Sequence, residues 1–522
     1  MSTHNQPTEI SRRRNPSIVK VLAMRNFSKS KLMALRQCPK RLWLELHRPD
    51  LLENSDATQR SFQVGHQVGD IARLLYDSEG TGNLIDVGTE GFNPALTRTL
   101  DLLEGSNPIF EAGFAAGGAL SFADVMLPVV VNGQKKWRMV EVKSTTEVKG
   151  NHLDDVAVQA FVARSAGVPL HSISLAHIDT SWIYQGNGNY QGLLTETDLS
   201  EEAFSRSEEV KGWISQAQQI ASTEAEPSMA VGNQCSTPYE CGFTEHCWAN
   251  EPVAEHPIHW LPYASKQKID LLVGMGISEL CDVPDELLTE RQQRVKSNTV
   301  NNSVYFDADG SASELAECGW PAYFMDFEST QFAVPIWKGC RPYQQDVFQF
   351  SVHKLDETGQ LHHVEFIDLS GNDPSRPFSE ALISASGDVG PVYVYNAGYE
   401  NGRIRHLAEV HPDLRDALLA ITERVVDLMP IAKNYYYHPS QQGSWSIKKV
   451  LPAMVPELSY EDLDGVADGG MAMEAYQEAI SPDCSEKRKS EIRQELLAYC
   501  KLDTYAMVRL WQVFAGRSDL KL

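Results

Sequence analysis

The chain has 522 residues, 42% hydrophobic and 22% charged, with no long low-complexity tract; this excludes a largely disordered protein and exceeds what one core organises, so two domains are expected. Its 70 acidic and 46 basic side chains leave a formal charge of −24, which argues against broad adhesion to nucleic acid through a basic surface. Carboxylates gathered around divalent cations would be neutralised locally, so a metal-dependent enzyme stays open, with Lys135-Lys136, Lys448-Lys449 and Lys487-Arg488-Lys489 as basic groups able to guide a strand.

Residues 1–16 are polar, with Arg12, Arg13 and Arg14 but no following apolar stretch long enough for a signal-peptide core, and 1–25 read as a flexible N-terminus. The longest clean apolar run, Val125 to Val131, is interrupted by Pro128 and falls far short of the roughly 20 residues of a membrane span. A soluble cytoplasmic protein without a membrane partner is expected. Residues 26–250 form the first expected domain. Phe27 to Glu111 reads mostly helical, with Ser28 capping a helix through Lys31, Leu32, Leu35 and Cys38; residues 109–143 alternate apolar runs with turns, Asp154 to Ser165 returns to helix, and Ile173 to Ile183 to strand. This is an α/β pattern. A polar helix over Glu201 to Ala221 precedes a Cys-bearing loop.

Residues 251–318 read as a mainly helical connector. Its Leu271-Leu272 and Gly-x-Gly-Ile turn resemble a helix-hairpin-helix element, whose turn amides can meet phosphates, and equally suit a plain helical linker. The second domain, 319–522, opens on strand signals at Tyr323 to Glu328, Val347 to Lys354 and Val392 to Tyr395 and closes on a long helix from Ser485 to Phe514.

The first constellation surrounds Asn132-Gly133, the strongest short hairpin signal. A two-residue turn there pairs Val131 with Gln134 and, counting outward, Asp124 with Glu141. Directly opposed side chains lie about 4.5 to 5.5 Å apart at Cβ, and like charges there are destabilising unless something offsets them, as a divalent cation does. Lys143 shares the face of Glu141 and can orient a water or steady a phosphate. Pro128 cannot donate to the ladder, and a bulge there would shift the register by one.

His66 in FQVGHQVGDIA, Glu111 in IFEAGF, Asp124 in FADV, Glu141 and Lys143 in VEVKS, and Gln159 in DDVAVQAFV resemble, in order and spacing, the RecB-type nucleases of the PD-(D/E)XK superfamily, particularly the CRISPR-associated exonuclease branch. That resemblance implies a restriction-endonuclease-like domain with His66, Asp124 and Glu141 as ligands of Mg or Mn, aided by the Val142 carbonyl. It also implies a catalytic Lys143, an organising Gln159 and an assisting Glu111. The branch usually has Tyr four residues after the Gln; this chain has Ala163.

Cys38 lies in RQCPKRLWL, and Cys235, Cys241 and Cys247 in CSTPYECGFTEHC; the other five of nine cysteines are scattered. With no secretion signal these read as reduced thiols or ligands, and four thiolates suit an iron-sulfur cluster or a tetrahedral zinc. One Cys before the nuclease core and three after it resemble the branch members in which a [4Fe-4S] cluster ties the domain's ends together. The C-terminal trio is spaced more widely here, and zinc is the alternative.

In YFMDFES, alternation puts Asp326 and Glu328 on one strand face. On the final helix Asp503 occupies a position in the stripe Ile492, Leu496, Tyr499, Met507, Leu510, Phe514 where the helical period demands a hydrophobe, so it needs a partner. Tyr499, four residues earlier, completes a Y-x-x-x-D resembling that of DEDD-type exonucleases. VYNAGYE then matches their second motif with Glu400 where Asp is usual, VVDLM offers Asp427, and SIKKVLP resembles the segment before the last helix. The resemblance implies an RNase H-like domain whose metal ligands are Asp326, Glu328, Glu400 and Asp503, with Tyr499 catalytic. The whole chain resembles a bacterial family in which a RecB-type nuclease precedes a C-terminal domain of unassigned function.

These readings combine into a metal-dependent DNA nuclease, an exonuclease acting on single- or double-stranded ends in DNA repair or phage defence, with RNA as a further possible substrate. The rival is a non-cleaving nucleic-acid-binding scaffold with an iron-sulfur or zinc structural site, a reading fed by Glu400 and the acidic charge. A nuclease predicts degradation that depends on divalent metal; a scaffold predicts metal-independent binding without cleavage.

Overall fold

The computed structural model describes residues 25–249, 254–316, 318–460, 463 and 465–521. The expected flexible segment with Arg12, Arg13 and Arg14 lies outside them. The protein is mixed α/β and its described residues divide into two compact units: 25–58, 69–177 and 195–249 form the first, and 59–68, 178–194 and those from 254 onward the second. The connector expected at 251–318 thus groups with the second unit. No helix among the described residues is long and apolar enough to cross a membrane.

In the first unit, strands β1 (Phe27–Ser28), β2 (Asn83–Leu84), β3 (Ile109–Ala116), β4 (Ala119–Val131), β5 (Gln134–Val142), β6 (Leu170–Ile178) and β7 (Leu194–Asp198) build one sheet in the order β2-β3-β4-β5-β6-β7, with β1 paired to β4. β3, β4 and β5 form an antiparallel meander, and β6 lies parallel to β5. Parallel pairing requires a crossover, supplied by the Gly150–Ser165 helix, whose residues from Val156 to Ala163 are all buried. A helix apolar all round belongs in a core; this one packs against the sheet and is covered by the Lys29–Gln37 and Ser207–Ser222 helices. Ser28 caps the first of these, accepting the Lys31 N–H at 3.3 Å. The strand expected to reach Ile183 ends at Ile178, where a turn at Asp179 begins, and the expected 201–221 helix is broken at Arg206.

Asn132 and Gly133 take φ of 51° and 73°, the mirror-image turn that suits the twist of a hairpin. Pairing from Val131↔Gln134 to Val125↔Val140 runs without interruption through Pro128↔Trp137. The Pro128 bulge does not form because the Trp137 N–H faces β6, bonding Pro169 O at 3.0 Å. Its partner's backbone therefore points away from β5, past the end of the β3–β4 ladder at Ile109↔Met126, where no donor is required.

In the second unit, Lys266–Gly274 is a helix closed by Gly276 at φ 78°, but the following segment forms 3-10 turns at Leu280–Asp282 and Asp285–Leu287 in place of a second hairpin helix. These pack Leu272, Leu280 and Val283 into a small apolar cluster. Strand β8 (Tyr305–Phe306) pairs with β14 (Tyr436–Tyr437). The main sheet holds β9 (Ala322–Thr330), β10 (Asp346–Leu355), β11 (Leu361–Ile367), β12 (Val392–Val394) and β13 (Val425–Asp427), ordered β11-β10-β9-β12-β13. The first three are antiparallel, while β12 is parallel to both β9 and β13. Tyr323, Met325 and Phe327 join one apolar cluster with Phe378 and Ile404; Phe324 joins another with Met507, Leu510 and Trp511 of the Glu486–Phe514 helix. Alternation then aims Asp326 and Glu328 toward that last helix.

Candidate active sites and cysteine cluster

At the centre of the first sheet, the register sets Glu111, Asp124 and Glu141 at one level of three adjacent strands. Glu111 and Asp124 stand between the pairs Phe110↔Val125 and Ala112↔Ala123, and Asp124 and Glu141 are the next positions beyond Val125↔Val140. Glu111 takes φ 56°, a conformation rare for a side chain of its size and one that proteins tend to hold at functional positions. The Asp124 carboxylate turns inward and accepts the Val142 N–H at 2.6 Å.

Two lysines reach this row. Glu141, 1% exposed, accepts from Lys143 Nζ at 2.6 Å and from Lys29 Nζ at 2.7 Å on the same oxygen, and its other oxygen accepts from the Gln159 amide. Asp155 closes the ring, meeting Lys143 at 2.7 Å and Lys29 at 3.1 Å. Burial alone would raise the Glu141 pKa, but Lys143 and Lys29 hold it well below the usual range. Burial works against both ammoniums, and Asp155 with Glu141 keeps them charged, above the usual lysine range. Asp124 moves the other way: burial and the adjacent Glu141 push it well up, and Glu111 adds to this. Such an acid is pressed toward a proton or a cation, and buried Gln159 Oε1 also lacks a hydrogen-bond partner. Asp124 and Glu141 therefore fit a divalent cation.

Of the residues expected here, Glu111, Asp124, Glu141, Lys143 and Gln159 come together. His66 is exposed on the Asp56–Tyr76 helix, in the 59–68 stretch that groups with the second unit. Ala163 is packed in the core. Sequence reasoning missed Lys29 and Asp155. Asp155 carried a usable signal, since it stands four residues before Gln159 and shares its helix face; Lys29 is adjacent only in the folded chain.

The four cysteines lie within electrostatic reach of one another. Cys38 joins the Lys29–Gln37 and Pro39–His47 helices, and Gln37 binds the carbonyls of Gln234 and Tyr239, each at 2.7 Å, fastening that corner to the cysteine loop. Burial raises the Cys247 thiol and Lys40 opposes it, while Cys241, Cys235 and Cys38 all lie close enough to push it further up. Burial raises Cys241 likewise, with Arg41 opposing and Cys235 and Cys38 adding. Thiols that raise one another's pKa, with Lys40 and Arg41 opposing, are of a type that a bound cation would hold as thiolates, although their sulfurs do not form a group within 4.8 Å of one another among the described residues.

In the second unit, Asp326 and Glu328 on β9 meet Cys500 of the last helix, their ligand atoms lying within 4.8 Å of one another. Asp503 is 5% exposed and accepts the Tyr460 hydroxyl at 2.5 Å. Burial lifts its pKa to about 6 against the pull of Tyr460, Lys448 and Tyr499. Asp326 is pushed well up by burial, then by Asp503, Glu328 and Glu400; burial and Asp503 do the same to Glu328. Glu400, 3% exposed, is raised to about 8 by burial, with Asp427 adding, and its Oε2 has no hydrogen-bond partner. Asp326 and Glu328, both disfavoured as anions by burial and by Asp503, with the orphaned Glu400 oxygen in the same unit, fit a divalent cation. Lys448 Nζ lies 5.2 Å and 5.5 Å from the ring centres of Tyr499 and Tyr460. Asp427 accepts the Asn396 and Ala397 amides, fixing the start of the Ala397–Val410 helix that carries Glu400. Of the residues expected here, Asp326 and Glu328 share the close group with Cys500, and Asp503 and Glu400 act on Asp326 by their charge without joining that group; Tyr460 and Cys500 were not anticipated, the first because its segment has no periodic signal.

Residues 323–446 match a family described as a domain of unknown function (DUF2779). The match spans Asp326, Glu328 and Glu400 and stops short of Lys448 and the last helix. No curated protein matches the chain.

Proposed function

We propose that the chain is a metal-dependent nuclease that hydrolyses phosphodiester bonds of DNA at the first site, with a second, exonuclease-like site in the second unit. The observation that carries this reading is the row Glu111, Asp124 and Glu141 across three strands with Lys143 held on Glu141 and Asp155. The order helix, β3-β4-β5 meander, crossover helix, β6 supports the PD-(D/E)XK resemblance. A central β9 flanked by antiparallel β10-β11 and parallel β12-β13 supports the RNase H-like one.

A divalent cation such as Mg or Mn on Asp124 and Glu141 would activate a water and neutralise charge on the phosphate. The chain's residues do the remaining work. Gln159 and Lys29 orient Glu141, and Asp155 keeps the Lys143 ammonium charged and aimed at the carboxylate row, where it can donate to a phosphate oxygen. In the second unit Asp326, Glu328, Glu400 and Asp503 would hold cations, and Tyr499 and Lys448 lie beside them. Cys38, Cys235, Cys241 and Cys247 would hold a [4Fe-4S] cluster, or zinc, as a structural tie.

The test is degradation of end-labelled single- and double-stranded DNA, with RNA alongside, in Mg or Mn. Glu141→Ala and Asp326→Ala are each expected to remove a separable part of the activity, and two variants that digest like wild type would overturn the proposal. One observation favours a second reading: Lys29, Lys143, Glu141 and Asp155 compensate one another without a cation. A non-cleaving nucleic-acid-binding scaffold would show metal-independent affinity and no cleavage of any substrate.

A further inference from the structure

We propose that a cavity beside the first site takes an unpaired nucleobase of a single-stranded nucleic acid, stacked on Tyr239. The inference builds on the nuclease reading for its purpose but rests on its own geometry. The cavity, about 220 Å³, is lined by Arg36, Asn151, Asp155, Pro238 and Tyr239 among others. Asp155 is shared: it borders the cavity and binds Lys143 at 2.7 Å, so whatever enters lies against the first site.

Tyr239 is 50% exposed, yet fastened at both ends. Its hydroxyl accepts the Asn151 amide at 2.6 Å and its carbonyl accepts the Gln37 amide at 2.7 Å. An exposed ring already held in place can stack on a base with little loss of side-chain freedom, and every base offers a π-face. Arg36 supplies a cation at the edge. Its guanidinium rests 4.5 Å over the Trp213 ring with Nε on Asp154 at 2.9 Å, and its side chain remains 41% exposed, open to a backbone phosphate. Among the other polar groups of the lining, which include Gln37 and Asp154, Asn151 and Asp155 match base edges, which offer donors and acceptors. A paired base inside a duplex cannot present its face to Tyr239; an unpaired one can. Tyr239 lies in the chain segment between Cys235 and Cys241.

The experiment uses the full chain and uncleavable phosphorothioate oligonucleotides, as single-stranded DNA, single-stranded RNA and blunt duplex DNA, with 2-aminopurine placed at each strand position in turn. Quenching confined to one or two adjacent positions of a single strand is expected. Tyr239→Ala should weaken single-strand binding roughly 5- to 150-fold, the span of one stacked base, and leave duplex binding unchanged, while Tyr239→Phe keeps the affinity. The DNA and RNA arms decide which sugar accompanies the base. Uniform quenching, absent single-strand binding by wild type, or equal affinity in Tyr239→Ala would overturn the pocket; the wild-type quenching profile decides it should Tyr239→Ala fail to fold. Cleavage of unmodified DNA by wild type against Glu141→Ala is scored separately, so position-specific stacking in a protein that never cuts would leave the pocket standing and remove the nuclease reading.

Discussion

Asp155 shows how much one side chain decides. It is 6% exposed and answers two ammoniums, so Asp155→Asn removes the charge that offsets them while keeping the shape. Breaking a buried pair from one side costs about 3 to 5 kcal/mol, and partners that orient an active-site group are commonly worth about 10- to 100-fold. Asp155→Asn should therefore lower the urea midpoint and reduce the cleavage proposed for the first site; a variant as stable and active as wild type would show that Lys143 needs no such support. Lys29→Met tests the other arm of the ring, with loss of activity expected to be smaller than for Lys143→Met.

At the scale of elements, two hairpins and one cap set the sites. Gly117 turns β3 into β4 at φ 63°, and a Cβ there would lie 2.9 Å from the Phe161 ring of the crossover helix. Gly117→Ala combines left-handed strain with a clash and should cost about 1 to 3 kcal/mol in denaturant unfolding. Ser485 caps the last helix by accepting the Arg488 N–H at 3.2 Å. Ser485→Ala should cost about 1 kcal/mol and leave the Asp503–Tyr460 hydrogen bond intact, because the cap lies several turns away along the helix.

For the whole molecule, stability should weaken in mild acid. His353, 3% exposed and bonded to Thr504 at 2.8 Å, is pulled down to about 3 by burial, with His363 and Lys501 adding. Unfolded, it titrates near the ordinary 6.5. Its contribution is therefore complete above pH 6.5 and is lost as pH falls from there toward 3, since only the unfolded chain takes up the proton in that window, by up to about 1.4 kcal/mol per pH unit. His353→Asn should flatten that part of the stability profile. Anaerobic purification should also yield visible absorption and iron, or zinc without colour, that Cys241→Ser removes.

Much of this was written in local pattern. The Asn132-Gly133 turn set the β4–β5 register because a two-residue loop leaves one way to count outward, and the helical period exposed Asp503 as an acid in an apolar stripe. The cap at Ser28 and the span of the last helix follow from the same local rules. Tertiary structure decided what depends on elements distant in sequence. It brought Lys29 onto Glu141 from 112 positions away, joined Cys38 to a loop some two hundred residues later, set Tyr460 on Asp503, and showed Pro128 to be harmless through the direction of one N–H bond. Periodicity reports which face a residue occupies; which charge it meets there is fixed only when the elements pack.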